Sequence, residues 1–242
     1  MVPAPVGFQC PECVAGAAAR TRQATTAAGG SIIERPLVTY ALIGITVAVF
    51  LAQMAIGINA VAGDYGMWPV GIAFGGQWWR LFTAAFLHGS FLHIAFNMYV
   101  LFALGPTLER ILGHYRYLTL YVLAAIGGGV ASYVFSDPNT VSVGASGAIF
   151  GLMGALVVAG RRLRYDVTQV LVLLGINIAI GFISPGTDWR AHLGGLVTGS
   201  LVAAIMVFPS PRHRKAVQVV GIIVLLVVMA IIVMWRTAQI TS

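Results

Sequence analysis

Seven apolar stretches, each close to the length needed to cross a lipid bilayer, constrain the fold of this chain more than any other feature. The hydrocarbon core of a bilayer is about 30 Å thick, and a helix needs about 20 apolar residues to cross it. The stretches are Leu37–Ile58, Leu81–Leu104, Tyr115–Phe135, Ser146–Gly160, Val167–Ile183, Trp189–Phe208 and Val217–Trp235. Because backbone groups in hydrocarbon must be hydrogen-bonded within their own segment, each stretch is predicted to be helical. The sequence therefore predicts an all-α, polytopic transmembrane helical bundle.

The composition excludes an ordinary soluble globular protein. Of the 242 residues, 59% are hydrophobic and only 9% are charged, whereas soluble domains carry about 25% charged residues. The connections between the apolar stretches are short, so we expect a single membrane domain. It divides into an N-terminal tail at residues 1–35, a core at 36–208, and an extra C-terminal helix with a short tail at 209–242.

The basic residues predict the orientation of the bundle. If the N-terminus is cytoplasmic, eleven Lys and Arg residues fall on the cytoplasmic side: Arg20, Arg22, Arg35, Arg110, Arg116, Arg161, Arg162, Arg164, Arg212, Arg214 and Lys215. Three fall outside: Arg80, Arg190 and Arg236. This asymmetry follows the positive-inside rule. The net charge of +7 then indicates attraction to the lipid bilayer. Nucleic acid is not indicated as a partner, because the sequence has no cluster of basic residues interleaved with aromatic residues.

Polar residues lie in the second, fourth and sixth stretches, where hydrocarbon penalises them. They are His88, His93, Asn97, Ser146 with its neighbours Gly144 and Gly147, Arg190 and His192. With the N-terminus inside, all three stretches descend from the outer face, so these residues share a similar depth in the outer half. A strongly polar residue at that depth is by default a functional candidate.

Helical spacing predicts that two of these polar residues meet. Small residues recur every three or four positions in the fourth stretch (Gly147, Gly151, Gly154) and in the sixth (Gly195, Gly199). Such stripes let transmembrane helices approach closely. If the stripes face each other, the Ser146 hydroxyl and the His192 imidazole come near hydrogen-bonding reach. The fourth stretch has only 15 residues, about 22 Å of helix, so its start is expected below the outer surface beside a water-filled cavity.

The motifs that contain these residues resemble the rhomboid family of intramembrane serine proteases. Gly144-x-Ser146-Gly147 resembles the nucleophile motif of that family, and Ala191-His192-x-x-Gly195-x-x-x-Gly199 resembles its histidine segment. Three further elements occur in the family's order: His88, His93 and Asn97; Trp79-Arg80; and Gly105-x-x-x-Glu109-x-x-x-Gly113. The resemblance covers about residues 36–208 and implies a six-helix protease core, to which the seventh stretch is an addition.

The resemblance implies a catalytic mechanism and a class of substrate. Ser146 would be the nucleophile and His192 its base, and His93 and Asn97 would help to hold the oxyanion. The supporting residues would be Gly144, Gly147, His88 and Phe150, with the Phe150 ring packed beneath the His192 ring. No cofactor or metal is implied. The partners would be transmembrane segments of single-span proteins, in a bacterial inner or plasma membrane, with the active site opening to the exterior.

Two alternative functions remain at the level of the sequence. A catalytically inactive rhomboid-like protein would bind membrane clients, although such a protein is expected to lose Ser146, His192 or the residues around them. A transporter would need polar residues along the full membrane depth, whereas here they stop in the outer half.

The two cysteines, Cys10 and Cys13, form a single CxxC pair in the tail. One pair supplies two of the four ligands of a structural zinc site, and it predicts no disulfide framework. The segment resembles the end of a small zinc-binding module, which indicates either a degenerate remnant or a chain start placed too far downstream.

Overall fold

The computed structural model of this chain describes residues 1–5, 7–20, 24–183 and 186–242. Arg22, one of the basic residues assigned above to the cytoplasmic side, lies outside the described residues. The elements are β1 Val2–Ala4, β2 Gly7–Gln9, α1 Pro11–Arg20, α2 Leu37–Ile56, α3 Ile58–Tyr65, α4 Pro69–Gly75, α5 Arg80–Thr83, a 3-10 turn at Ala84–Phe86, α6 Phe91–Leu112, α7 His114–Phe135, α8 Ser146–Leu163, α9 Thr168–Ile183, α10 Trp189–Val207 and α11 Arg214–Thr241.

Among the described residues, six helices are long and apolar enough to cross a membrane: α2, α6, α7, α8, α10 and α11. They confirm the prediction of a polytopic helical bundle. The fifth predicted span, Val167–Ile183, corresponds to α9, which is apolar but has only 16 residues. At 1.5 Å per residue α9 is about 24 Å long, less than the thickness of the hydrocarbon core.

The predicted start of the second span, Leu81, was wrong. Residues 81–90 form the end of α5, the 3-10 turn and a short loop, and the long helix α6 begins only at Phe91. Ser90 is the N-cap, because its side chain accepts a hydrogen bond from the His93 backbone N–H. A hydroxyl that satisfies an N–H at a helix start favours a new helix there, and hydropathy alone does not detect this signal.

The first loop, between α2 and α6, is folded onto the bundle around a buried arginine. The Arg80 guanidinium donates to the carbonyl oxygens of Gly63 at 2.9 Å and Gly66 at 2.8 Å, and to the Gln77 side chain at 2.5 Å. Burial lowers the pKa of Arg80 from its ordinary value, while the Asp64 carboxylate opposes that effect. These bonds hold the first loop in place, which gives Arg80 a structural role.

Glu109 is a buried carboxylate that joins α6 to the start of α2. Its oxygens accept hydrogen bonds from the backbone N–H groups of Val38 at 2.9 Å and Thr39 at 2.8 Å, and from the Thr39 hydroxyl at 2.6 Å. His114 Nδ1 lies 2.5 Å from the same carboxylate. A negative charge is stabilised at a helix N-terminus, where the N–H groups have no intrahelical partner.

Part of the predicted tail packs against the bundle rather than projecting from it. Ala28 is fully buried, and its carbonyl accepts a hydrogen bond at 3.1 Å from Gln218 Nε2 of α11. The same Nε2 donates to the Met206 carbonyl of α10, and Gln218 Oε1 accepts a bond from Arg116 of α7. One buried amide therefore ties the tail to three helices at the end of the bundle where α10 ends and α11 begins.

Cys10 and Cys13 are joined by a disulfide bond that spans the start of α1. This bond was not predicted from the sequence. A single disulfide over three residues is still different from the set of disulfides that holds a small secreted domain together. Within the ranges that the structure describes, no group of three or more His, Cys, Asp or Glu side chains could hold a metal ion.

Candidate active site

The two small-residue stripes of α8 and α10 face each other, as their spacing predicts. A Cβ built on Gly195 would overlap the carbonyl oxygen of Gly147, and one built on Gly199 would overlap the carbonyl oxygen of Gly151. The backbones are so close that only glycine fits at these contacts. This packing determines how the first turns of α8 and α10 meet.

Directly above the contact, the Ser146 side chain of α8 meets the His192 side chain of α10. Ser146 Oγ lies 2.8 Å from His192 Nε2, a normal hydrogen-bond distance. The Phe150 ring, one turn further along α8, stacks on the imidazole with the ring centroids 4.2 Å apart and the planes tilted by 11°. The arrangement matches the expected packing of Phe150 beneath His192, and it restricts rotation of the imidazole.

The pair lies in a cavity of about 500 Å³ between α6, α8, α9 and α10. Its walls carry polar side chains as well as apolar ones: Ser90, His93, Asn97, Ser142, Ser146, Asn177, Thr187, Asp188 and His192 all line it. Polar side chains are rare in transmembrane interiors because hydrocarbon penalises them. A cavity with this many polar side chains, at the start of two helices, can hold water and a polypeptide backbone.

Gly144 brings the loop before α8 close to α6. Its φ of 141° lies in a region that residues with a side chain rarely adopt, and a Cβ there would lie 2.8 Å from His93 Nε2 and 3.5 Å from Ser146 Oγ. The Gly144 N–H donates to the Ala84 carbonyl at 2.9 Å, which holds the loop in place. Gly144 therefore allows the His93 imidazole and the Ser146 hydroxyl to face the same part of the cavity.

Donors from two helices line the cavity near Ser146. The N-cap of α8 is Ala145, which has no side-chain cap, so the first N–H groups of this helix point out without an intrahelical partner. Asn97 is nearly fully buried, and its Nδ2 donates at 2.8 Å to the His93 carbonyl within α6. The amide carries two N–H groups, so one remains for another acceptor.

His88 lies behind the cavity rather than in its lining. It is fully buried, and its ring nitrogens make no hydrogen bond to a side chain among the described residues. Its ring stands edge-on to the His93 ring with centroids 4.9 Å apart. The Gln53 side chain holds the His88 backbone, accepting from its N–H at 2.9 Å and donating to its carbonyl at 3.3 Å. The geometry supports a structural role for His88.

Comparison with known proteins gives the family. The family model described as the rhomboid domain matches residues 75–209, more than half of the chain and all of the site. This chain belongs to the rhomboid family. The sequence is 42% identical over 139 residues to the rhomboid protease GluP of Bacillus subtilis, an alignment that covers 55% of this chain and 27% of GluP.

Other relatives are similar to this rhomboid over comparable lengths. The protein YdcA of Bacillus subtilis is 38% identical over 143 residues, which covers 57% of this chain and 72% of YdcA. The rhomboid protease AarA of Providencia stuartii is 29% identical over 170 residues, covering 58% of this chain and 60% of AarA. The chain thus spans about a quarter of the length of GluP and larger shares of the other two. Membership places it among multi-pass membrane proteins in a family of proteases.

Asp188 also lines the site of this rhomboid, and it was not among the residues predicted from the sequence. It is the N-cap of α10, where its Oδ1 accepts a bond from the Ala191 N–H at 3.2 Å, and its Oδ2 accepts one from the Ser132 hydroxyl of α7. Asp188 lies one helical turn before His192 and lines the cavity. An Asp directly before an apolar stretch is an N-cap signal, so the sequence contained evidence for the cap but not for Ser132 as its partner.

We expect Asp188→Ala to lower the free energy of unfolding by about 1 kcal/mol, because an N-cap is lost. We also expect it to slow substrate cleavage, because the helical turn that carries His192 loses its link to α7. Asp188→Asn should retain most of both properties, since Asn also caps helices well. Thermal unfolding and cleavage rates would be measured together. The matched control is Asp137→Ala, which removes a carboxylate bonded only to the nearby Asn139 N–H among the described residues. Equal losses in the Asn and Ala variants would contradict a capping role.

Proposed function

We propose that this rhomboid is an intramembrane serine endopeptidase that cleaves transmembrane segments of single-span membrane proteins with a Ser146–His192 dyad. The observation that carries the proposal is the 2.8 Å contact between Ser146 Oγ and His192 Nε2 inside a polar cavity of about 500 Å³. A hydroxyl is a weak nucleophile until an adjacent base takes its proton, and this contact supplies the base.

The geometry supports acyl transfer in two steps. His192 Nε2 accepts the Ser146 proton while Oγ attacks the carbonyl carbon of the scissile peptide bond. The imidazolium then donates this proton to the departing amine, which leaves an ester between Ser146 and the substrate. Water that enters the cavity gives a proton to His192 and attacks the ester carbonyl. The imidazolium returns that proton to Ser146 Oγ as the bond between Oγ and the acyl carbon breaks, which releases the second product and restores the dyad. The stacked Phe150 ring keeps the imidazole aligned with Ser146 throughout.

The negative oxygen that forms on the substrate carbonyl would be held by three kinds of donor. They are the Ser146 backbone N–H at the positive end of the α8 dipole, the His93 ring and the Asn97 amide. Donors that are fixed before the reaction would stabilise the transition state with little reorganisation.

Asn97→Ala is expected to lower kcat by about 100-fold or more, because one oxyanion donor is lost, while KM changes little. Asn177→Ala is the matched control. Asn177 also lines the cavity, and its Nδ2 also donates at 2.8 Å to the carbonyl four residues earlier in its helix. Steady-state cleavage of a transmembrane substrate would measure both variants. Similar losses of kcat in the two would contradict the oxyanion role of Asn97.

A substrate segment would reach the dyad between α6 and α9. Leu92, Phe96 and Val100 of α6 and Ile180 of α9 all line the cavity. A helical substrate shields its carbonyl groups with hydrogen bonds, so the scissile segment has to unwind before Ser146 can attack. Helix-weakening residues at the cleavage site should therefore favour cleavage.

We infer a bacterial cell membrane as the location, with the N-terminus cytoplasmic and the cavity opening to the exterior. The end of the bundle opposite the site, where α6, α8 and α10 end and α7 and α11 begin, carries most of the basic residues: Arg110, Arg116, Arg161, Arg162, Arg164, Arg212, Arg214 and Lys215. Arg80, Arg190 and Arg236 are at the end with the site. The positive-inside rule favours this orientation.

A fluorophosphonate probe tests the proposal, because it forms a covalent bond only with an activated serine. The purified protein would be labelled in detergent and in liposomes, and the labelled peptide located by mass spectrometry. We expect the label on Ser146, and we expect new N-termini to appear in transmembrane segments when the protein is incubated with membrane fractions. A folded protein that takes no label and cleaves nothing would instead support a client-binding function.

A further inference from the structure

The longest transmembrane helix, α11, leaves an apolar groove where it packs against α7 and α10. The groove has a volume of about 540 Å³ and is separate from the cavity that contains Ser146. Its walls include Val130 and Val134 of α7, Leu193 and Val197 of α10, and Val228 and Ile232 of α11. We call it the outer groove.

The outer groove is closed at one end. Near the start of α11, a Cβ built on Gly221 would lie 2.8 Å from Cγ2 of Ile205 on α10, and Gln218 Nε2 donates to the Met206 carbonyl at 2.9 Å. α10 and α11 therefore touch at this end, and they separate toward the end of the bundle that contains the active site.

The depth of the outer groove matches one leaflet of a bilayer. Along α10 the groove runs from Trp189 to Leu201, thirteen residues or about 18 Å of helix. The hydrocarbon core is about 30 Å thick, so this depth is close to half of it. A spanning protein helix would need the full depth, which the contact between Gly221 and Ile205 blocks. An acyl chain from one leaflet needs only half.

The open end of the outer groove has the chemistry of a headgroup site. Arg190 lines it, with the guanidinium carbon 5.0 Å from the centre of the Trp189 ring. No carboxylate in the part of the chain that the structure describes lies within ion-pair distance of Arg190. Trp189 and Trp235 both border the groove, and indole rings favour the membrane–water interface. A guanidinium matches phosphate oxygens well in charge and geometry.

We propose that the outer groove binds one glycerophospholipid from the leaflet on the active-site side, with an acyl chain along α10 and α11 and the phosphate on Arg190. This lipid would pack against residues next to His192 and so help to hold the active site in place. Trp189 and Leu193 line the outer groove and also a small cavity of about 100 Å³ that the Phe150 and His192 rings line. The lipid thus packs against the two side chains that separate the groove from His192.

Native mass spectrometry of the purified full chain tests the proposal. The protein would be delipidated in dodecyl maltoside, which contains no phosphate, and titrated with phosphatidylglycerol. We expect wild type to retain one lipid, and Arg190→Ala to bind it about tenfold more weakly or worse, because a charge-assisted hydrogen bond is lost. Val197→Trp should also prevent binding, because its indole fills the groove; Val197 is 51% exposed, so the larger side chain does not disturb the core.

The matched control is Arg212→Ala, which removes the same charge from the loop between α10 and α11 and leaves the outer groove unchanged. It should bind the lipid as wild type does, and inorganic phosphate should not compete. Bound lipid should raise the melting temperature of wild type and of Arg212→Ala, but not that of the two groove variants. Wild-type lipid retention in Arg190→Ala and Val197→Trp would overturn the proposal. The proposal would also be overturned if a second copy of the protein occupied the groove, which would appear as a dimer that the Val197→Trp substitution abolishes. None of these readouts depends on proteolysis.

Discussion

Replacing Ser146 by alanine is expected to slow peptide-bond cleavage by roughly 10⁶-fold, the loss caused by removing the nucleophile of a soluble serine protease. The physical reason is that the hydroxyl 2.8 Å from His192 Nε2 is the group that bonds to the substrate carbonyl. His192→Ala should cause a loss of similar size, and the double variant should be little worse than either single variant, because the two residues act as one unit. Cleavage of a reconstituted transmembrane substrate would be followed under single-turnover conditions.

The matched control is Ser142→Ala, because Ser142 also lines the cavity and the mechanism does not use its hydroxyl. It should retain nearly wild-type activity. The two serine variants should unfold at the wild-type temperature, since each removes a small group at the cavity surface. His192→Ala should unfold at a slightly lower temperature, because its stacking on Phe150 is lost. If Ser142→Ala abolished cleavage and Ser146→Ala did not, the assignment of the nucleophile would be wrong.

Gly195→Ala is expected to damage both stability and activity, although it adds only one methyl group. The added Cβ would overlap the carbonyl oxygen of Gly147, a backbone atom that cannot rotate away, so α8 and α10 must move apart. We expect a loss of about 3 kcal/mol in the free energy of unfolding, at the upper end of the usual cost of overpacking. Cleavage should fall about 100-fold or more, because a shift of about 1 Å between reacting groups has that effect. Unfolding in mixed detergent and cleavage rates would be measured on the same preparation.

Gly44→Ala provides the comparison for this variant. Gly44 lies in α2, and a Cβ there would meet nothing within 4 Å. The substitution should be neutral or slightly stabilising, since Ala is favoured over Gly in a helix by up to about 1 kcal/mol. A Gly195→Ala variant as stable and active as Gly44→Ala would show that close packing of α8 on α10 does not control the position of the Ser146–His192 pair.

The candidate site could be predicted from the sequence because its signals are local. His93 and Asn97 share one helix face by spacing alone, and the recurring glycines of α8 and α10 by themselves indicate a close helix contact. The start of the second span was missed because the ten residues before Phe91 form short helical turns and a loop. Hydropathy cannot distinguish these from a continuous helix, and the cap at Ser90 is a single weak signal.

Other features could not be predicted because their partners are distant in the chain. Ser132 and Asp188 meet across 56 positions, and Gln218 reaches Ala28 across 190. Nothing in the residues around Ala28 predicts that this part of the tail is buried, because its partner amide belongs to the last helix. The outer groove likewise exists only because α10 and α11 touch near Gly221 and separate beyond it.

The sequence by itself determined that the chain is a helical membrane protein and which family its motifs resemble. These follow from hydropathy and helical period, which are properties of single segments. Only the tertiary structure decided that the Ser146 hydroxyl and the His192 imidazole lie 2.8 Å apart, that Phe150 stacks on that ring, and that Asp188 links α10 to α7. Such distances depend on how separate helices pack, and packing is set by contacts between side chains that the linear order does not bring together.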